Sequence, residues 1–366
     1  MIGNAFKQSL GWSLVLGILW SAQASAEKTF VYCSEGSPST FSPQIASDGV
    51  TFNATSQAIY SRLIEFKNGT TELEPGLAEK WDVSKDGLKV TFHLRKNVAF
   101  QTTEGFTPTR NFNADDVLFS FNRMRDKNHP YFPVSGGKYS YFDSMDMSNL
   151  ITDIKKVNDL TVEFTLSHPE APFLANMAMD FASILSAEYG DKLAAAGTKE
   201  KIDNEPVGTG PFVFKKYVKD STIRYAAFDK FYRGRVKIDQ LVFAIVPDAS
   251  VRTQKLKTDE CQLVGQPNPS DLKSLEADKK LQVIKQPGLN ISYLAMNTEK
   301  KPFDNVLVRR AINHALNRKN YIEAIYLGHA EVAKNPIPPT LWSYNKGIQD
   351  YDFNPEKAKA LLKEAG

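Results

Sequence analysis

Five histidines, two cysteines and a few short polar motifs are where this 366-residue chain could do chemistry. His93, His129, His168, His314 and His329 stand alone, none with a Cys, Asp or Glu at metal-ligand spacing. His93 falls on the polar side of a predicted strand and His168 precedes a proline, so solvated or structural histidines are the better reading. Asp115-Asp116 offers two carboxylates, but neighbouring side chains diverge, and first-turn acids of a capped helix account for both. Gly208-Thr209-Gly210-Pro211 has the glycines of a phosphate cradle without the following lysine and helix, which makes it a tight structural turn. No Gly-x-Ser-x-Gly elbow, phosphate loop or dinucleotide fingerprint occurs. Asn53 and Asn68 open Asn-x-Thr triplets of the glycosylation type. Tyr139, Tyr141 and Phe142 have the rings to stack on a ligand, though a buried core claims such residues more often.

What remains is the loop Ile45-Ala46-Ser47-Asp48-Gly49. It carries a hydroxyl and an exposed carboxylate, both suited to polar or cationic ligand groups. The same residues also make an ordinary turn. Without a nucleophile–base pair the chain is expected not to be an enzyme, and no cofactor or metal site is predicted.

Composition agrees with a binding role. Hydrophobic residues make up 42% and charged residues 24%, as in a soluble globular protein. The length favours two lobes over one core. A net charge of +3 is too mild to argue for nucleic acid or a membrane surface. Residues 1–26 read as a signal peptide: Lys7 in the n-region, an apolar run from Leu10 to Trp20, and Ala24-Ser25-Ala26 before Glu27. No cysteine follows the cleavage site, so no lipid anchor is implied and the expected compartment is the periplasm. Cys33 and Cys261 both lie in the exported part. An even count in an oxidising space suggests one disulfide, with two buried thiols as the alternative.

The elements that must position the loop are organised around residues 76–124. Trp81 and Val83, then Val90, Phe92 and Leu94, alternate with polar neighbours on either side of Asp86-Gly87, a hairpin signal. Asn113 caps a helix whose inward face is Val117, Leu118, Phe121 and Met124. A first strand is expected at 29–34, a helix from Asn53 turning into strand by Phe66, and a second hairpin across 149–166. Helices are expected at 171–181 and 186–195. Strands follow at 212–217, 222–227, 240–245 and 281–285, with a short helix at 250–256. Residues 289–297 are apolar on both sides, as in a strand buried on both faces. Helices capped by Asp304 or Asn305, by Asn317 and by Asn354 close the sequence.

The stretch "GLAEKW-x-V-S-x-DG-x-x-x-TFHLRK" followed by "NADDV-x-FSF-x-R" resembles the signature of the peptide- and nickel-binding periplasmic proteins of ABC importers. "VYCSEGSP" at 31–38, "HPEAPFLA" at 168–175, "MDFASILS" at 179–186, "GTGPF" at 208–212 and "PDASVR" at 247–252 point the same way. The resemblance runs from about Lys28 to Gly366. It implies an α/β, two-lobe periplasmic binding protein fold of type II. Residues 27–288 would form lobe I, with an extra subdomain at about 60–207, and 289–366 the N-terminal part of lobe II. It implies a Cys33–Cys261 bridge and places the loop of Ser47, Asp48 and Gly49 at the ligand cleft. It also implies capture of dipeptides or other short peptides by a monomer that serves an inner-membrane ABC permease complex. Haem, glutathione or nickel are the alternative ligands, and a periplasmic hydrolase or chaperone is the alternative class. In the family the chain continues well past the position of Gly366, so the second lobe is expected to be incomplete. The residues that grip a peptide's ends would lie in that continuation, and tight dipeptide binding by these 366 residues is not expected.

One outcome belongs to the sequence alone. N-terminal sequencing of the periplasmic protein is expected to begin at Glu27, and a start at Met1 refutes the leader.

Overall fold

The structure, a computed structural model, describes residues 27–366 apart from residue 342. The expected leader lies outside the described residues. In chain order, β1 (Thr29–Ser34) leads through a long polar loop into α1 (Gly49–Ala54). β2 (Ile64–Phe66) and β3 (Leu73–Pro75) pair as a small ribbon, and β4 (Ala78–Val83) and β5 (Lys89–Leu94) form the hairpin. Then come α2 (Ala114–Arg125), α3 (Ser140–Ser144), α4 (Met147–Leu150), β6 (Ile151–Asn158) and β7 (Thr161–Leu166). α5 (Phe173–Asn176) and α6 (Ala187–Ala195) precede β8 (Phe212–Val218), β9 (Thr222–Ala227) and β10 (Gln240–Ile245). α7 (Ala249–Lys257), β11 (Leu263–Val264) and α8 (Leu272–Ala277) follow, and α9 (Val306–Ala315), α10 (Arg318–Tyr326) and α11 (Pro355–Ala365) come last.

Two larger sheets result. One is mixed, in the order β11-β1-β10-β9-β8, with β1 parallel to β10 and β11 and the rest antiparallel. The other is antiparallel, in the order β4-β5-β7-β6. Period-two patterning builds the second as expected: Val90, Phe92 and Leu94 of β5 and Val162, Phe164 and Leu166 of β7 are all buried. α2 covers that face, with Phe121 edge-on to Phe164 at 5.2 Å. Asn113 and Asp116 form a reciprocal capping box at its start. Val83 lies opposite Val90 but on the edge strand, and stays half exposed.

The sheets are joined by a close backbone approach. A Cβ on Gly208 would sit 2.2 Å from the Ile59 carbonyl oxygen, so only glycine fits. The fully buried Gln101 donates to the carbonyls of Ile59, Gly210 and Phe212 and accepts from the Gly208 amide. The 208–210 segment is therefore a structural turn.

Beside it lies an ion pair out of reach of water. Arg123 Nη2 is 2.6 Å from Asp203 Oδ2, with side chains 0% and 2% exposed. Ser135 Oγ donates to the same oxygen, Arg123 Nη1 reaches Gln44, and the guanidinium lies over the Tyr139 ring. At the sheet's other side Cys33 and Cys261 are joined by a disulfide, with Cα atoms 5.8 Å apart and 228 positions between them in sequence. Closing so long a loop is worth about 5 kcal/mol or slightly more in the chain-entropy model.

Several expected elements are corrected. α1 begins at Gly49, capped by Asp48, and has ended by Ala54. The helix expected at 171–181 is only α5 and a single turn at Asp180–Ala182. Residues 281–285 and 289–297 are irregular instead of strand. A strand buried on both faces needs neighbours on both edges, and among the described residues none follows β11. Leu289, Tyr293 and Leu294 are accordingly exposed. α9 packs on α11 through Ala311, His314 and Ala358, and His314 Nδ1 lies 2.8 Å from the Asp352 carbonyl oxygen. Ala315 of α9 and Leu362 of α11 are exposed.

Removing one partner of the buried pair strands a charge. Asp203→Ala is expected to cost about 3–5 kcal/mol in urea unfolding, and joint replacement of Arg123 by Met and Asp203 by Leu distinctly less. A single-mutant loss within about 1 kcal/mol, the range of surface pairs, contradicts this.

Candidate ligand-binding face

In open α/β sheets ligands sit outside the carboxyl ends of parallel strands, where neighbouring strands send their connections to opposite faces. β1 and β10 are such a pair. β1 leads to α1 on the face of Tyr32 and Phe243, where the Tyr225 hydroxyl donates to the Ala54 carbonyl at 2.8 Å. β10 leads to α7, and the chain after α7 returns on the opposite face, where Cys261 meets Cys33. The crevice at their ends is therefore bounded by the 35–49 loop and α1 on one side, and by residues 246–252 and Gln266 on the other.

The loop is pinned along its length. Ser37 Oγ donates to Asp220 Oδ1, the Phe41 amide donates to the Asp203 carbonyl, and Gln44 Nε2 donates to the Ser120 and Ser183 carbonyls. It then presents Ser47 and Gly49 to solvent. Asp48 is not the free carboxylate expected from sequence. It is half-buried and caps α1: Oδ1 accepts from the Thr51 amide at 2.8 Å, and Oδ2 accepts from the Thr51 and Ser39 hydroxyls at 2.9 Å each. The structure brings Ser47, Asp48 and Gly49 together at one helix start, with Asp48 turned inward as its support.

The opposite wall is held by Arg252, 4% exposed, whose guanidinium donates to the carbonyls of Val246, Pro247 and Gln266. Tyr32 donates its hydroxyl to Glu35, and burial, with Glu35 beside it, pushes its pKa up to about 12. The next turn beyond α1 adds Ser56 and Gln57, both donating to Asp180, with Arg62 3.6 Å away.

Phe52, Asn53 and Gln57 of the same segment also turn away from the core. Asn53 and Gln57 face solvent and Phe52 is half-buried. Their one signal was that they fall off the inward stripe of Thr51, Ala54 and Ala58. The remaining candidates serve structure. Asp115 pairs with Lys156, and Asp116 with Arg110 through two hydrogen bonds. His93 lies 2.7 Å from Asp82, while burial beside Phe119 and Tyr131 lowers the His129 pKa. Among the described residues no cluster of three or more His, Cys, Asp or Glu could hold a metal ion. None of the described helices is long and apolar enough to cross a membrane. The crevice thus offers hydroxyls, amides, backbone groups and a phenyl ring, which is equipment for binding.

This is the architecture of a two-lobe periplasmic binding protein of type II. It superposes with a TM-score of 0.86, at 41% identity, on the dipeptide-binding protein from Pseudoalteromonas sp. SM9913 in complex with Met-Leu, covering 93% of this chain and 67% of that one. Residues 72–366 match the family model described as bacterial extracellular solute-binding proteins, family 5 Middle, and the chain belongs to that family. It is 55% identical over 358 residues to the dipeptide-binding protein of Escherichia coli (strain K12), covering 98% of this chain and 66% of the relative. It is 53% identical over 345 residues to heme-binding protein A of Haemophilus influenzae, covering 94% and 63%. The chain therefore spans about two thirds of the length of these curated relatives.

Asp48→Ala is expected to cost about 1 kcal/mol, and at most about 2, of unfolding free energy through loss of the cap, with Asp48→Asn near neutral. Equal losses in both variants show that the charge, not the cap, is what matters.

Proposed function

We propose that this protein is the receptor of a peptide importer: it captures short peptides, above all dipeptides, and presents them to an inner-membrane ABC permease complex without making or breaking a bond. The observation that carries this reading is the crevice at the ends of β1 and β10, polar and free of a nucleophile–base pair, in a chain 55% identical to a dipeptide-binding protein. On this reading residues 27–288 make lobe I and residues from 289 begin lobe II. The irregular stretch between α8 and α9 is then the crossing between them. A ligand touching both walls favours the closed arrangement by its differential affinity for it.

The 35–49 wall supplies hydroxyl and backbone groups, and its two carboxylates are engaged, Glu35 by the Tyr32 hydroxyl and Asp48 by its own loop. Affinity of these 366 residues for a dipeptide is therefore expected near about 1 mM, roughly 4 kcal/mol of binding free energy. A second reading, haem binding, is favoured by the 53% identity to heme-binding protein A.

Saturation-transfer NMR with millimolar Met-Leu, followed by competition with a second dipeptide, tests the first reading, and a Soret shift on adding haem tests the second. Competable transfer to an unhydrolysed dipeptide supports the peptide receptor. A haem shift with no dipeptide transfer overturns it, as does cleavage of the dipeptide.

A further inference from the structure

Packing against the hydrophobic core does not explain Phe52 on α1. The helix turns Thr51 and Ala54 inward, while Phe52 is half-buried and belongs neither to the hydrophobic core nor to the residues packed against it. Its aromatic neighbour is Tyr141, with ring centroids 6.0 Å apart and planes tilted by 41°. Tyr141 is also half-buried, yet it stands on a rigid support. Its neighbours Tyr139 and Phe142 are fully buried, the first under the Arg123 guanidinium and the second against Phe181.

Resting on the peptide-receptor reading, we propose that Phe52 and Tyr141 form the ledge that receives an apolar side chain of the bound peptide, and so set which peptides are preferred. Four observations lead there. The ledge begins three residues after Gly49, on the helix whose start carries Ser47. Asn53 and Gln57, both after Phe52 in sequence, are exposed, and their amides carry donors and acceptors of the kind a peptide backbone uses, one Gln57 donor being spent on Asp180. The nearby carboxylates are engaged, Asp48 by Thr51 and Ser39, and Asp180 by Ser56, Gln57 and Arg62. The ledge therefore discriminates by apolar contact and not by charge. Finally, a half-exposed phenyl gains little free energy in the unliganded protein, and covering it with a leucine or methionine side chain removes apolar surface from both partners.

The test compares Met-Leu with Gly-Gly by ligand-observed NMR titration on the 366-residue chain. The unaltered protein is expected to prefer Met-Leu by about tenfold, a fraction of what full burial of a leucine side chain supplies. Phe52→Ala is expected to bring that ratio close to one by weakening Met-Leu binding far more than Gly-Gly binding, and Phe52→Leu to restore most of the preference. Unfolding curves of both variants confirm that they fold. A ratio unchanged by Phe52→Ala, or an equal loss for both dipeptides, overturns the ledge and leaves the receptor standing. Absence of binding by either dipeptide to the unaltered chain overturns the receptor reading and the ledge with it.

Discussion

The interaction on which the candidate face depends is the contact between Arg123 and Asp203, a full positive and a full negative charge with no access to solvent. Each charge would be prohibitively costly to bury alone. Together they fix three otherwise separate pieces of chain. Asp203 holds the 35–49 loop through its carbonyl, which accepts from the Phe41 amide and the Thr40 hydroxyl. Arg123 reaches the same loop at Gln44 and supports α3 through the Tyr139 ring. Neither Ser47 nor Tyr141 touches the pair, yet both sit on backbone that it immobilises. Apolar residues would fill the same volume at less cost, but would not define which loop meets which helix; directional hydrogen bonds do.

What the sequence made legible was local. The 78–94 hairpin and α2 announce themselves by alternation, a turn dipeptide and a cap, and each signal lies within a few residues of what it specifies. The family resemblance pointed to the 45–49 loop, but the residues alone did not distinguish a capping aspartate from a ligand-facing one. That distinction depends on Ser39 and Thr51 turning toward it, which is tertiary information. Arg123 was illegible for the same reason: an arginine on an amphipathic helix is assigned to water unless its distant partner, Asp203, is known. The stretch 289–297 failed differently. Its apolar pattern states a requirement for neighbours on both edges, and a pattern cannot provide them. Phe52 was overlooked because a single aromatic off the buried stripe carries no periodicity.

The order of strands has a consequence in time. β1 is the first strand of the described chain, yet Thr29 pairs with Gln240, and Tyr32 on its other edge pairs with Leu263. Everything that completes the mixed sheet around β1 lies at its far end, with the whole antiparallel sheet and its helices inserted between. Bringing such remote segments together is entropically late and slow compared with forming the inserted hairpins. Until residues near 240 are available, β1 has no native partner to join, and the disulfide waits longer still, for Cys261. The topology thus works as a delay timer: a polypeptide that emerges lengthwise cannot lock its leading strand until the residues around 240 and 263 have followed it.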